Sequence, residues 1–215
     1  RDVVILSAGH YCPALYAILA EKKFYKKKLL ASLRKFGSPL LGHPKFLELP
    51  GVENSGGSLG QGISLACGYA ISVKRFVKRK NKPKVFCIMG DGEQNEGQVW
   101  EAAMFASHHR LDNLNLIVDN NRISMLGYTD DIITHGSISS RLAAFGWDTI
   151  EVEGHDVEAV HKTLNRQKNI KMGKPKAIIA NTIKGFGVPE IENEPLCHIT
   201  NPKPETIDQI LGVAQ

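Results

Sequence analysis

Asp91 and Asn121 stand 30 residues apart, each directly after an apolar run, in "VFCIMGDG" at 85–92 and "LNLIVDNN" at 114–121. Asp91 lies between Gly90 and Gly92, so the backbone can come close to a ligand while the carboxylate points across a strand end. Asn121 offers an amide oxygen from the matching place, and the turn "NNRIS" supplies backbone carbonyls beside it. One carboxylate, one amide oxygen and one carbonyl make a hard, oxygen-only half-shell. That suits Mg²⁺ or Ca²⁺, with waters and phosphate oxygens completing about six ligands. A helix expected from about Asn95 would turn its positive end toward anionic phosphate. Taken alone, Gly-Asp-Gly is equally a common turn, and Asn-Asn a common strand exit.

Familiar nucleotide signatures do not account for these residues. "GGSLGQG" lacks the G-x-G-x-x-G order of a dinucleotide fold, and "GSPLLGHP", the nearest approach to a P-loop, lacks its Lys.

The elements that must position the pair follow from alternation along the chain. Apolar runs at 3–6, 85–89, 114–118, 149–152 and 177–182 read as strands. Helical patterns are expected at 13–21, 95–108, 139–145, 157–167 and 205–211, with another helix after the glycine-rich "GVENSGGSLGQG" at 51–62 and a turn at "MGKP", 172–175. Strands buried on both faces and separated by helices imply a doubly wound α/β fold, a mainly parallel sheet with helices on both faces. Ligands of such folds sit at the carboxyl ends of the strands. Residues 185–204 carry many prolines and little periodicity, which predicts a long irregular loop of the kind that is often functional. No internal repeat is evident.

Composition narrows the class. A chain of 215 residues suffices for one well-buried domain, and 42% hydrophobic with 23% charged residues is ordinary for a globular protein. No apolar run reaches the roughly 20 residues of a membrane span. Cys12, Cys67, Cys87 and Cys197 are scattered without a CxxC pair, which argues against a zinc site or disulfide framework and for a reducing cytoplasm. The opening "RDVVILSAGH" has no Met and no secretory signal, as expected of a chain whose beginning is missing. The net charge of +5 gathers at 21–35 and 74–84, where apolar residues alternate with Lys and Arg at helical spacing. Solvated faces of amphipathic helices are expected there rather than a nucleic-acid surface, since no aromatic stacking module accompanies the charges.

The whole stretch "GDGEQNEGQVWEAAMFASHHRLDNLNLIVDNN" resembles the thiamine-diphosphate signature, and more specifically the transketolase family. The resemblance runs through "RDVVILSAGHYCPALYAILAE", "LLGHP", "GSLGQGISLACGYA", "FGWDTIEVEGHDVEAV" and "NTIKGFG", in family order and from end to end. It is greatest to the amino-terminal subunit of split transketolases.

That resemblance implies roles for particular residues. Asp91 and Asn121 match side-chain ligands of the Mg²⁺ that bridges the cofactor diphosphate, with Ca²⁺ or Mn²⁺ as alternatives, and Ile123 matches the residue supplying its carbonyl. Gly57, Ser58 and Leu59 lie where family backbone touches the aminopyrimidine and thiazolium of thiamine diphosphate. Gly90 belongs to the same cofactor set, Gly92 would offer an N–H to the diphosphate, Met125 would border the thiazolium, and Lys184 would face the diphosphate. His10, His43 and His198 match histidines lining the cofactor and sugar channel, where neutral imidazoles pass protons and bond substrate hydroxyls. Glu96 matches an acid at the subunit interface. Of His108, His109, His135, His155 and His161, only His155 is expected to act, by holding a turn.

The implied reaction moves a two-carbon ketol unit from a ketose phosphate to an aldose phosphate, as in the pentose phosphate pathway. In the family a glutamate on a pyrimidine-binding domain protonates the aminopyrimidine ring, and this chain ends before such a domain. A carboxy-terminal transketolase subunit is therefore expected as partner, in an α₂β₂ assembly. Two departures stand out: the 50 to 60 residues that relatives carry before "RDVVILS" are absent, and Ala8 replaces a polar residue common in "SAGH". Rival readings are a deoxyxylulose-phosphate synthase, the first component of a 2-oxoacid dehydrogenase, and a non-catalytic regulatory subunit. Glu96, His43 and His198 together favour transketolase.

Overall fold

Continuous apolar runs build a sheet buried on both sides, as the computed structural model shows for residues 1–134, 136–169 and 173–212. The strands are β1 (Val3–Leu6), β2 (Val85–Gly90), β3 (Leu114–Asn120), β4 (Ile123–Ser124), β5 (Gly127–Tyr128), β6 (Asp148–Glu153) and β7 (Lys176–Asn181). Five of them form one sheet in the order β1-β2-β3-β7-β6, every neighbouring pair parallel, while β4 and β5 make a separate antiparallel hairpin. The helices are α1 (Cys12–Glu21), α2 (Gln61–Phe76), α3 (Gly97–His108), α4 (Thr129–Ile132), α5 (Ile138–Ala144), α6 (Val157–Asn169) and α7 (Pro204–Ile210).

Strand order and crossover handedness distribute the helices. Steps from β1 to β2 to β3 to β6 run one way along the sheet, so right-handed crossovers place α2, α3 and α5 on one face, and the return from β6 to β7 carries α6 to the other. The first face is a core of Ile5, Cys87, Met89, Leu116, Val118 and Ile179 against Ile63, Ala66 and Ala70 of α2, Ala103 and Ala106 of α3, and Leu142 of α5. Alanines at the contact let α2 and α3 lie close to the strands. On the second face Leu6 packs with Cys12, Tyr16 and Leu19 of α1, and with Leu40, Leu49 and Val52 of the segment after it.

Two expectations need correction. The helix expected from Asn95 begins at Gly97, because Asp91–Asn95 forms a tighter 3₁₀ turn in which Glu93 reaches back to the Gly90 N–H at 2.9 Å. The basic runs are not amphipathic helices. Within 21–35 only Glu21, the end of α1, and Lys27–Ser32, as 3₁₀, are helical, and α2 ends at Phe76, leaving 77–84 irregular. Apolar spacing there is used instead by Leu29, Leu30 and Leu33, which pack against the α1 side of the sheet, while Phe76 is exposed. The loop from 185 is irregular as expected, broken by a 3₁₀ turn at Pro195–His198. Met172 of the "MGKP" turn and His135 lie outside the described residues, and Gly173 of that turn has φ +67°. Among the described residues no helix is long and apolar enough to cross a membrane.

Candidate functional site

The carboxyl ends of β1, β2, β3 and β7 bring the candidate residues together. Asp91 leaves β2 as the first residue of the 3₁₀ turn and is 2% exposed. Its Oδ2 accepts the Arg122 N–H at 2.6 Å, and its Oδ1 accepts the Gly92 N–H at 2.8 Å. The first of these bonds fastens the end of β2 to the turn after β3. Burial pushes the Asp91 carboxyl up to about 6, against the two N–H donors that favour its ionised form. The Gly92 N–H, expected to face a diphosphate, is thus turned onto Asp91.

Asn121 is buried, with its Oδ1 accepting the Ile123 N–H at 3.0 Å and its Nδ2 donating to Asp119 Oδ2 at 2.9 Å. The carbonyl of Ile123 accepts from Lys184 Nζ at 3.1 Å, and the same ammonium reaches His198 Nδ1 at 2.8 Å. Burial lowers the Lys184 pKa, while Asp91 and Asp119 act the other way. Asp91, Asn121, Ile123 and Lys184 therefore form one linked cluster.

Beside it lie the imidazoles. His10 sits in the 3₁₀ turn Gly9–Tyr11 after β1, with its ring centroid 5.1 Å from that of His198. Burial, then the nearby His198, Lys184 and His43, lower His10 to about 4, so its ring is neutral at physiological pH. Burial and Lys184 lower His198 as well. His43 is exposed, and its Cδ2 would lie 3.1 Å from a Cβ added at Gly9. At Gly9 the chain is pressed so close that an added Cβ would lie 2.7 Å from the Gly57 nitrogen, which keeps the 56–58 backbone against the histidine turn.

The remaining candidates are placed unevenly. Gly57 and Ser58 are exposed on the loop before α2, and Leu59 accepts from Gln98 Nε2 at 3.2 Å through its carbonyl. Gly90 is buried under Tyr11, whose Oη would lie 3.0 Å from an added Cβ. Met125 is 68% exposed in the β4–β5 turn, so it has no core role. Glu96 is exposed at the start of α3, close to Gly60. His155 holds its turn: Nε2 accepts the Ile183 N–H at 2.7 Å, and the ring stacks on Phe186 with centroids 3.9 Å apart.

Four residues escape the sequence reading. Glu93, 1% exposed, accepts from Ser7 Oγ at 2.6 Å, Gly60 N at 2.8 Å and Gly90 N at 2.9 Å, tying the ends of β1 and β2 to the start of α2. Tyr11, Asp119 and Thr182 meet next to Asn121: Tyr11 Oη donates to Asp119 Oδ2 at 2.8 Å, and Thr182 Oγ1 donates to Asp119 Oδ1. One signal was available, since Asp119 precedes Asn121 by two and so shares its face of the strand.

This arrangement of turns has counterparts among known proteins. The family model described as "Transketolase, thiamine diphosphate binding domain" matches residues 1–211. The chain is 42% identical over 215 residues to transketolase-like protein 2 of Mus musculus, covering 100% of this chain and 33% of that one. It is 38% identical to one subunit of the apulose-4-phosphate transketolase of Phocaeicola vulgatus, covering 97% of this chain and 73% of that one. A crystal structure of transketolase from Campylobacter jejuni superposes with a TM-score of 0.91 at 32% identity, over 99% of this chain and 34% of that one. The chain thus spans about a third of the full-length transketolases it matches and most of the Phocaeicola vulgatus subunit. Sheet order, strand-end site and family match agree, and the chain belongs to the transketolase family, whose thiamine-diphosphate-binding domain it carries.

Proposed function

We propose that the chain is the diphosphate-binding subunit of a two-chain transketolase, moving a two-carbon ketol unit from a ketose phosphate to an aldose phosphate. The observation that carries the reading is the convergence of Asp91, Asn121 and the Ile123 carbonyl, with the Lys184 ammonium bonded to that carbonyl. The donor set fits a hard divalent cation, because all three groups present oxygen, and Mg²⁺ is the natural choice for a site completed by phosphate. A cation is already tolerated there, in the form of Lys184. The backbones at Gly9 and Gly56 are close-set, and Gly57 has φ +152°, a conformation side chains rarely adopt, which fits a loop that lies flat against a ligand.

Thiamine diphosphate, when bound, supplies the nucleophilic carbon that carries the two-carbon unit. The chain's own residues then have separate tasks. Asp91, Asn121 and Ile123 would hold the cation. Lys184 would lie against the diphosphate charge. His10, kept neutral by burial, would offer one donor and one acceptor to sugar hydroxyls, and His198, whose Nδ1 already accepts from Lys184, would offer its Nε2–H, with His43 at the exposed side of the same channel. Glu96, exposed at the N-cap of α3, would face the partner.

A partner is supported by the surface around the site. Met125, Leu126, Leu196 and Ile199 are all exposed, and the turn carrying Leu196 packs beside the β4–β5 hairpin, so apolar side chains rim one edge of the cluster. The Phocaeicola vulgatus relative, named as one subunit of its transketolase, fits the same division of labour. We place the pyrimidine-binding half on a separate carboxy-terminal subunit in an α₂β₂ assembly, acting on sugar phosphates in the cytoplasm.

Calorimetric titration with thiamine diphosphate and Mg²⁺, alone and with a candidate pyrimidine-domain subunit, tests the reading. Mg²⁺-dependent binding that disappears in Asp91→Ala is expected. If neither form shows it even with the partner present, the cofactor assignment falls; if binding occurs without ketol transfer in the mixture, the transketolase activity falls.

A further inference from the structure

The cation site just proposed has an unsolved orientation problem. A primary amide has an oxygen at one end and an NH₂ at the other, and only the oxygen can serve a cation. Nothing in the amide itself fixes which end faces Asp91.

The residues behind Asn121 fix it. Asp119 lies two positions earlier on β3, on the same face, and its carboxylate receives three donors: Asn121 Nδ2 at 2.9 Å, Tyr11 Oη at 2.8 Å and Thr182 Oγ1. A carboxylate accepts and does not donate, so the end of Asn121 that meets it must be the NH₂. The oxygen is thereby driven to the opposite side, where it also takes the Ile123 N–H at 3.0 Å. Tyr11 and Thr182 come from different elements, the turn after β1 and the exit of β7, and hold the two carboxylate oxygens in place. Tyr11 Oη further lies 3.5 Å from Asn121 Nδ2, so the phenol can accept from the amide while donating to Asp119.

We propose that Asp119, clamped by Tyr11 and Thr182, is a positioning residue that sets the Asn121 amide with its oxygen toward the cation. It acts through Asn121 and touches no cation itself. The inference rests on the proposed cation site, and outer groups of this kind change metal affinity by about 10- to 100-fold when removed.

The test is Mn²⁺ binding in the presence of thiamine diphosphate, followed by electron paramagnetic resonance of free Mn²⁺, with thermal melts of each variant. Asp119→Asn should bind Mn²⁺ at least about tenfold more weakly. The exchange variant, Asp119→Asn with Asn121→Asp, should recover that loss. In it the amide at 119 donates to the carboxylate at 121 and to the Tyr11 phenol, its oxygen still accepts from Thr182, and either carboxylate oxygen can face the cation. A merely structural role predicts no such recovery. Unchanged affinity in Asp119→Asn, or an exchange variant as weak as the single one, overturns the proposal. Should Asp119→Asn not fold, Tyr11→Phe removes one clamp while keeping the ring, and wild-type affinity in that variant overturns it equally. Absence of Asp91-dependent Mn²⁺ binding in the wild type would instead remove the cation site itself, and the positioning role with it.

Discussion

At the scale of single residues, the site is a set of acids and imidazoles whose charge is governed by burial. Asp91 has its carboxyl raised from 3.8 to about 6, so the ligand-free fold binds this proton more tightly than the unfolded chain does. Its contribution to stability is complete below pH 3.8 and is lost as pH rises through about 6. Cation binding has the reverse sign, because the ligand is the ionised form. Mg²⁺ affinity measured by titration should therefore be level above pH 7 and weaken by about tenfold per pH unit well below 6. A flat profile from pH 5 to 7.5 would contradict this. His10, neutral above about 4, adds no charge across the window. Asp91 and Asn121 stand out in the sequence because each follows an apolar run, whereas His10, His43 and His198 are picked out only by the family resemblance. Glu93 and Tyr11 were illegible for a physical reason: one is an acid in a turn and the other an aromatic at a helix start, and only their partners from distant segments give them meaning.

At the scale of elements, strand positions were legible because continuous apolar runs admit few alternatives in a sheet covered on both faces. The misread elements were the basic segments. Lys and Arg spaced among Leu and Phe suit a helix by pattern, yet at 21–35 the leucines are consumed by a 3₁₀ turn packed under α1. The join between the end of β1 and α2 is a tight one that can be tested. A Cβ at Gly62 would stand 2.4 Å from the Cα and Cβ of Ser7, so α2 cannot keep its position if Gly62 gains a side chain. Gly62→Ala should lose about 1–3 kcal/mol by overpacking, read as a lower urea midpoint with unchanged slope. Since the Gly60 N–H and Ser7 hydroxyl both end on Glu93, the displacement would also pull that carboxylate from its donors. An unaltered midpoint would show that the helix slides freely.

At the scale of the whole molecule, apolar side chains left in solvent mark what the chain is built to meet. Leu126 is 80% and Leu196 69% exposed, outside the cores on either sheet face. Replacing both by Lys should change the stability of the isolated chain by no more than about 0.5 kcal/mol, as for surface positions in general. Association with the pyrimidine-domain subunit, followed by light scattering, should be abolished by the same pair. Retained association would move the contact elsewhere.

The clasp of Asp91 on the Arg122 N–H, and of Lys184 on the Ile123 carbonyl, joins groups from the exits of β2, β3 and β7. No single hairpin or contiguous fragment owns that cluster. It comes into existence only once three strands from distant parts of the chain lie side by side, so a half-folded copy would lack the proposed cation ligands as a set. Were the proposed cation site filled, occupancy by metal would be an inventory of intact molecules: it would count finished sheets, and free ligand above its dissociation constant would bias the chain toward finishing them.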